Sequence, residues 1–299
     1  MGAKKFDVEH ALGIYALSFF SLPAEAIYND ELGAELGNGI ENCHIYLIGI
    51  VPKLDLKGAR QDGSTLIFDF EVLGKTLSVD GPIPHGFTLQ YEDDLWFLSD
   101  GTKERYAPSD EQIFQAFQIQ HGLLNFEVVY VGQAYGRDGS RHALDRLKKH
   151  ETLQKIALLG APEGYRLQVL LIEVHPSNQM FTFFNPFAED NSQGGGRIKK
   201  GLDKLFGTTE HERITLYEAS LIRYFQPKYN KEFKNSFPST NLKVLSDCYD
   251  KDFSSLVAEF CFDRPPFLLF SDAVAPKPKH IIKIDLHNEE NRKVFFAVD

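Results

Sequence analysis

The sequence predicts an α+β protein: a central β-sheet flanked by helices, a β-rich region before it and a mixed extension after it. Three observations carry that expectation. Residues 1 to about 108 are mostly short runs rich in β-branched and aromatic residues, punctuated by Gly and Pro. Residues 126–226 read as strand, helix, strand, helix. Beyond about residue 236 the patterns are mixed. The chain divides accordingly into 1–125, 126–235 and 236–299, and its 299 residues are ample for a sizeable core.

Taken in order, "ALGIYALSFFSLPAEA" follows Lys4 and Lys5 and loosely imitates a signal peptide, but Asp7 and Glu9 intervene. It reads as an amphipathic helix or strand of the fold. "HIYLIGIV" (44–51), "STLIFDFEVLG" (64–74), "KTLSVDG" (75–81) and "DDLWFLS" (93–99) read as strands, with "LGKT" as a hairpin turn. "SDEQIFQAFQIQHG" (109–122) reads as a helix capped by Ser109 and closed by Gly122. In the middle, "FEVVYVG" (126–132) is a strand and residues 140–160 one helix, capped by Ser140 and stopped by Gly160 and Pro162. "RLQVLLIEVHP" (166–176) is a buried strand, "DNSQGGG" (190–196) a flexible loop and "RIKKGLDKLFG" (197–207) a short basic helix. Residues 209–226 form a long helix opened by the capping box Thr209 to Glu212. In the tail, "DFSSLVAEFCF" has helical spacing, while "HIIKIDLH" and "KVFFAVD" resemble strands.

Composition narrows the functional classes. No apolar run is long enough for a transmembrane helix. Three cysteines, Cys43, Cys248 and Cys261, are far apart and form no zinc spacing, which points to a reduced cytoplasmic protein. The net charge of −10 argues against a protein that coats nucleic acid. The charge is uneven, however: 16 basic against 12 acidic residues over 130–234, and 16 against 30 elsewhere. A mildly basic middle is compatible with one local phosphate-binding surface, and equally with chance clustering on solvated faces. "GQAYGRDG" is not a dinucleotide fingerprint, and neither a P-loop nor a G-x-S-x-G elbow is present.

Two stretches carry chemistry. Arg146 and His150 lie one turn apart on one helix face, with Lys149 beside them. They either grip a phosphate or belong to an ordinary basic surface helix. On the helix 209–226, Ile214, Tyr217, Leu221, Ile222 and Phe225 form an apolar stripe, and Glu218 falls on it. A carboxylate there needs a cation, either an ion-pair partner such as Arg146 or a metal. Asn230, in "PKYN" just past the helix, is either a turn residue or an orienting group.

These residues resemble the GIY-YIG nuclease family. "VVYVG" (128–132) is similar to the second half of its signature, "DRLKKH" supplies Arg146 and His150, "LYEASLI" supplies Glu218 and "PKYN" supplies Asn230. The resemblance covers about residues 126–235, roughly a third of the chain, and implies a small GIY-YIG-like sheet. It departs in one place, because the family's GIY strand precedes the YIG strand by a short hairpin and here residues 109–122 read as a helix. The better counterpart is "HIYLIGI" with Tyr46, which inserts about 70 residues between neighbouring strands; the literal "GIY" at 13–15 is the other candidate.

The resemblance implies a Mg²⁺- or Mn²⁺-dependent DNA endonuclease of the restriction, phage-defence or mobile-element kind. Glu218 and waters would hold the metal, and Arg146 would stabilise phosphoryl charge. Tyr46, supported by Tyr130, would deprotonate water once nearby cations lower its pKa. His150 and Asn230 would position these groups. Arg141, Lys149, Lys199 and Lys200 either contact flanking phosphates or lie on the solvated surface. The terminal regions would supply target recognition, dimerisation or partner contacts. The alternative is a nucleic-acid-binding or regulatory protein that does not cut.

Overall fold

The first long strand decides the architecture. In the computed structural model, β1 (Val8–Pro23) spans 16 residues, buried along most of its length. Its first half pairs parallel with β11 (Ser255–Cys261) and antiparallel with β10 (Gln179–Phe184). Its second half pairs antiparallel with β9 (Tyr165–Val174), after a bulge between Ala16 and Ser18. The structure describes residues 4–29, 38–102, 104–122, 124–135, 143–149, 151–231, 234, 252–262, 265–287, 289 and 292–293.

From β1 the sheet grows both ways. β9 pairs with β2 (Cys43–Pro52), β2 with β8 (Asn125–Gln133), and β8 with β12 (Leu268–Ser271), which turns back as β13 (Val274–Lys277). On the other side β11 pairs with β14 (Lys279–Asp285). The result is one nine-stranded mixed sheet, ordered β13-β12-β8-β2-β9-β1-β11-β14 with β10 also on β1. It curls until it nearly closes, and the described residues are 45% strand against 26% helix. The expected small sheet flanked by helices is therefore overturned. Strands from 1–125, 126–235 and 236–299 all join this sheet.

Several local expectations also change. "DFSSLVAEFCF" contributes β11, not a helix. Phe253, Leu256, Val257 and Phe260 mimic helical spacing, but successive residues are buried on both faces of a central strand. Residues 140–160 form two helices, α2 (Ala143–Lys148) and α3 (Glu151–Leu159); Ser140 lies outside the described residues. The glycines of "DNSQGGG" begin α4 (Gly194–Gly207) instead of continuing a loop. Residues 294–299 of "KVFFAVD" lie outside the described residues.

Between β2 and β8 the chain builds an appendage. β3 (Asp55–Asp62), β4 (Thr65–Val72) and β5 (Lys75–Pro82) form an antiparallel sheet, and β6 (Thr88–Glu92) with β7 (Leu95–Ser99) a hairpin. The β4–β5 turn at Leu73 and Gly74 has both φ values positive, 50° and 74°, as "LGKT" suggested for a tight hairpin. Helix α1 (Asp110–His121), with Ser109 and Gly122 as caps, packs on β5. The Gln120 amide and the Asp80 backbone exchange two hydrogen bonds of 2.8 and 3.2 Å.

Helix α5 (Glu210–Phe225) is opened by the expected capping box of Thr209 and Glu212. Its buried run is unbroken from Ile214 to Ile222, which covers every direction around a helix. It packs against β1, β2, β8, β9, β11 and β14, so the curled sheet encloses it. Beside it, a buried ion network ties distant segments together. Glu9 on β1 and Asp252 each bind both Arg197 of α4 and Arg292. The two guanidinium groups lie 4.1 and 4.9 Å from the centre of the Phe6 ring. No helix among the described residues is long and apolar enough to cross a membrane.

Candidate active site

A cavity of about 540 Å³ opens where β2, β8, α2, α3 and α5 meet. Tyr46, Tyr130, Arg146, Glu218 and Asn230 all line it. β2 and β8 are antiparallel neighbours, so the roughly 70 intervening residues loop out as the appendage and return. The literal "GIY" sits on β1, two strands further across the sheet from β8 than "HIYLIGI".

The strand register explains the tyrosines. Tyr46 lies opposite Gly132, and Tyr130 is two residues before Gly132, so all three share one face. The two phenol rings stack at 6.2 Å between centroids, 27° apart. A Cβ at position 132 would lie 2.5 Å from both Cζ and the hydroxyl of Tyr46. Glycine is required there because the ring of Tyr46 occupies its side-chain space.

The Tyr46 ring is fully buried. Burial pushes its hydroxyl well above the usual phenol range, and the negative fields of Tyr130 and Glu218 push the same way. The charge and hydrogen bond of Arg146 oppose them without prevailing. The expectation of a lowered pKa at Tyr46 is thus corrected: the group is a neutral phenol, a hydrogen-bond donor.

Asn230 is held by hydrogen bonds to the backbone of β8. Helix α5 closes at Gln226 with φ 51°, and Pro227 prevents its continuation. The chain then turns against β8 past the end of its pairing with β12, where the Tyr229 amide donates to the Val129 carbonyl at 3.0 Å. The Asn230 carboxamide donates to Val131 O at 2.8 Å and accepts from Val131 N at 2.9 Å. It mimics a peptide group and fastens the helix bearing Glu218 to the strand bearing Tyr130, so it positions the site.

Arg141 and His150 lie outside the described residues. Lys149 is exposed and is not among the described residues lining the cavity. Lys199 and Lys200 are exposed on α4, which packs on β1 and β10 away from it. Gln133, Thr152, Thr215, Tyr229 and Lys231 line the cavity and were not singled out from sequence, and Ile222, read only as part of the apolar stripe, lines it too. Thr215 and Ile222 were legible in principle, since they stand at i−3 and i+4 from Glu218 on one helix face. Gln133 carries no such periodic signal.

The donor set fits a hydrated Mg²⁺ or Mn²⁺. Glu218 brings one carboxylate, 9% exposed, and the Oε1 atom of Gln133 is buried with no hydrogen-bond partner among the described residues. Among the described residues no group of three or more His, Cys, Asp or Glu side chains is placed to hold a metal ion. A metal here would be held by one carboxylate, neutral oxygens and water, a set suited to Mg²⁺. Arg146, an exposed residue, also lines the cavity, and a guanidinium is a group able to pair with an anion. Comparison with family models, with curated proteins and with solved structures gave no match.

Proposed function

We propose that this cavity is the active site of a metal-dependent endonuclease that hydrolyses DNA phosphodiester bonds. One observation carries the proposal. Tyr46, Tyr130, Arg146, Glu218 and Asn230, drawn from five separate stretches of chain and named by their resemblance to GIY-YIG nucleases, line a single cavity. The proposal rests on that cavity and not on the large curled sheet.

Each residue then has a task. Arg146 grips the scissile phosphate and stabilises negative charge growing on its oxygens. Glu218 would hold a divalent cation, which would supply Lewis-acid chemistry at the phosphate and at a bound water. Tyr46, a neutral phenol, donates a hydrogen bond that orients that water or a phosphoryl oxygen. Tyr130, half-buried beside it on the same cavity, orients the attacking water, whose proton passes to solvent. Asn230 holds strand and helix in register.

A second reading, a nucleic-acid-binding or regulatory protein that does not cut, is favoured by the burial that keeps Tyr46 protonated. One experiment separates the two. The full chain is incubated with supercoiled plasmid, single-stranded DNA, branched DNA and RNA, with Mg²⁺, with Mn²⁺ and with chelator. The nuclease reading expects nicked circles with metal and none with chelator. Retention of nucleic acid in a gel without cleavage of any substrate would replace it by the second reading.

A further inference from the structure

Lys149, Lys199 and Lys200, the lysines that sequence suggests for phosphate contact, do not line the cavity, whereas Lys231 does. The backbone at Lys231 is anchored from both sides. Before it, Asn230 is clamped to Val131 of β8 by hydrogen bonds of 2.8 and 2.9 Å. After it, the Lys234 carbonyl accepts from the Gln226 carboxamide at 2.8 Å and from the Arg223 guanidinium, both at the end of α5. Strand and helix thus fix where the residue starts, and its exposed side chain is free to follow a ligand.

The charges of the wall say which ligand. Among the described residues that line the cavity, Arg146 and Lys231 are cations and Glu218 is the one carboxylate. The wall is therefore positive in a protein of net charge −10. No carboxylate among the described residues pairs with Lys231. An ammonium on a flexible stem is a point charge suited to a phosphate oxygen, and it needs no fixed hydrogen-bond geometry. Resting on the phosphodiesterase reading, we infer that Lys231 is a substrate-binding residue that pairs with the phosphodiester backbone of DNA, while Arg146 engages the scissile phosphate. An ammonium has no lone pair for a metal, so this contact forms whether or not a divalent cation is bound.

The test is binding of short fluorescein-labelled DNA, duplex and single-stranded, to the full chain in chelator. Anisotropy is read over a series of salt concentrations. Lys231→Gln is expected to bind more weakly at low salt, with a log–log salt slope on the duplex smaller by about 0.9, the loss of one phosphate contact. Lys231→Arg is expected to restore both affinity and slope. Lys228→Gln makes the same charge change at an exposed lysine nearby that does not line the cavity, and is expected to alter neither. Unchanged affinity and slope in Lys231→Gln, with wild type binding, overturns the inference alone. An equal loss in Lys228→Gln marks a response to overall charge and overturns it too. Wild type that binds neither DNA overturns the DNA nuclease reading and this inference with it.

Discussion

Gly132 and Tyr46 form the tightest fit in the site, because the tyrosine ring fills the space a Cβ would take. Gly132→Ala therefore displaces the Tyr46 ring without altering any charge. The expected outcome is a folded protein, with wild-type circular dichroism and a modest loss of stability, whose nicking rate falls at least as far as that of Tyr46→Phe. A Gly132→Ala variant with full activity would show that the position of the Tyr46 ring is irrelevant. At this scale the sequence was partly legible. Glu218 stood out because a carboxylate on an apolar helix stripe needs a partner, and Tyr130 only through the likeness of "VVYVG" to the nuclease signature. The protonated state of Tyr46 was not legible, since it follows from complete burial, which only the packed structure supplies.

Among the elements, the bond between α5 and β8 matters most. Asn230 replaces a missing neighbour strand along Val131, so Asn230→Ala leaves two backbone groups without their partners. The expected loss is about 1–3 kcal/mol of stability, the range for unmaking part-buried hydrogen bonds, measured by urea denaturation. Asn230→Asp should lose nearly as much, because a carboxylate cannot donate to the Val131 carbonyl. The helices were well marked in sequence by their ends: Ser109 and Gly122 bound α1, and Thr209 with Glu212 opens α5. The strands of the far half were not. β10 is a brief apolar run, "QMFTFF", and β11 has the spacing of a helix. Each is a strand because β1 offers it an edge, a long-range cause that no local pattern records.

Across the whole molecule, the curled sheet buries groups that set its response to pH. His280 on β14 is fully buried beside Tyr224, Phe225 and Phe260. Burial, aided by the charge of Lys277, lowers its pKa from 6.5 to about 4. A group with a depressed folded pKa stabilises the fold above its unfolded value and loses that contribution as pH falls through its folded value. Stability should thus decline by about 3 kcal/mol between pH 6.5 and 4. His280→Gln should show a shallower slope over that window, whatever its stability at neutral pH. Glu9, raised by burial, acts in the opposite sense, while Asp252, held low by His287, Arg292 and Arg197 despite its own burial, responds only in stronger acid. An equal slope in both proteins would remove His280 from the account.

Tyr46, Tyr130, Arg146, Glu218 and Asn230 line one cavity, which we propose is a metal-dependent phosphodiesterase site. The most direct measurement is the rate of plasmid nicking by wild type and by Glu218→Gln at saturating Mg²⁺. The substitution keeps the shape of the buried side chain and removes its charge. The account predicts that wild type nicks only with metal and that the variant, folded and equally stable or more so, loses at least about 100-fold, the scale of losing a principal electrostatic contribution. Equal nicking by the two proteins would contradict it.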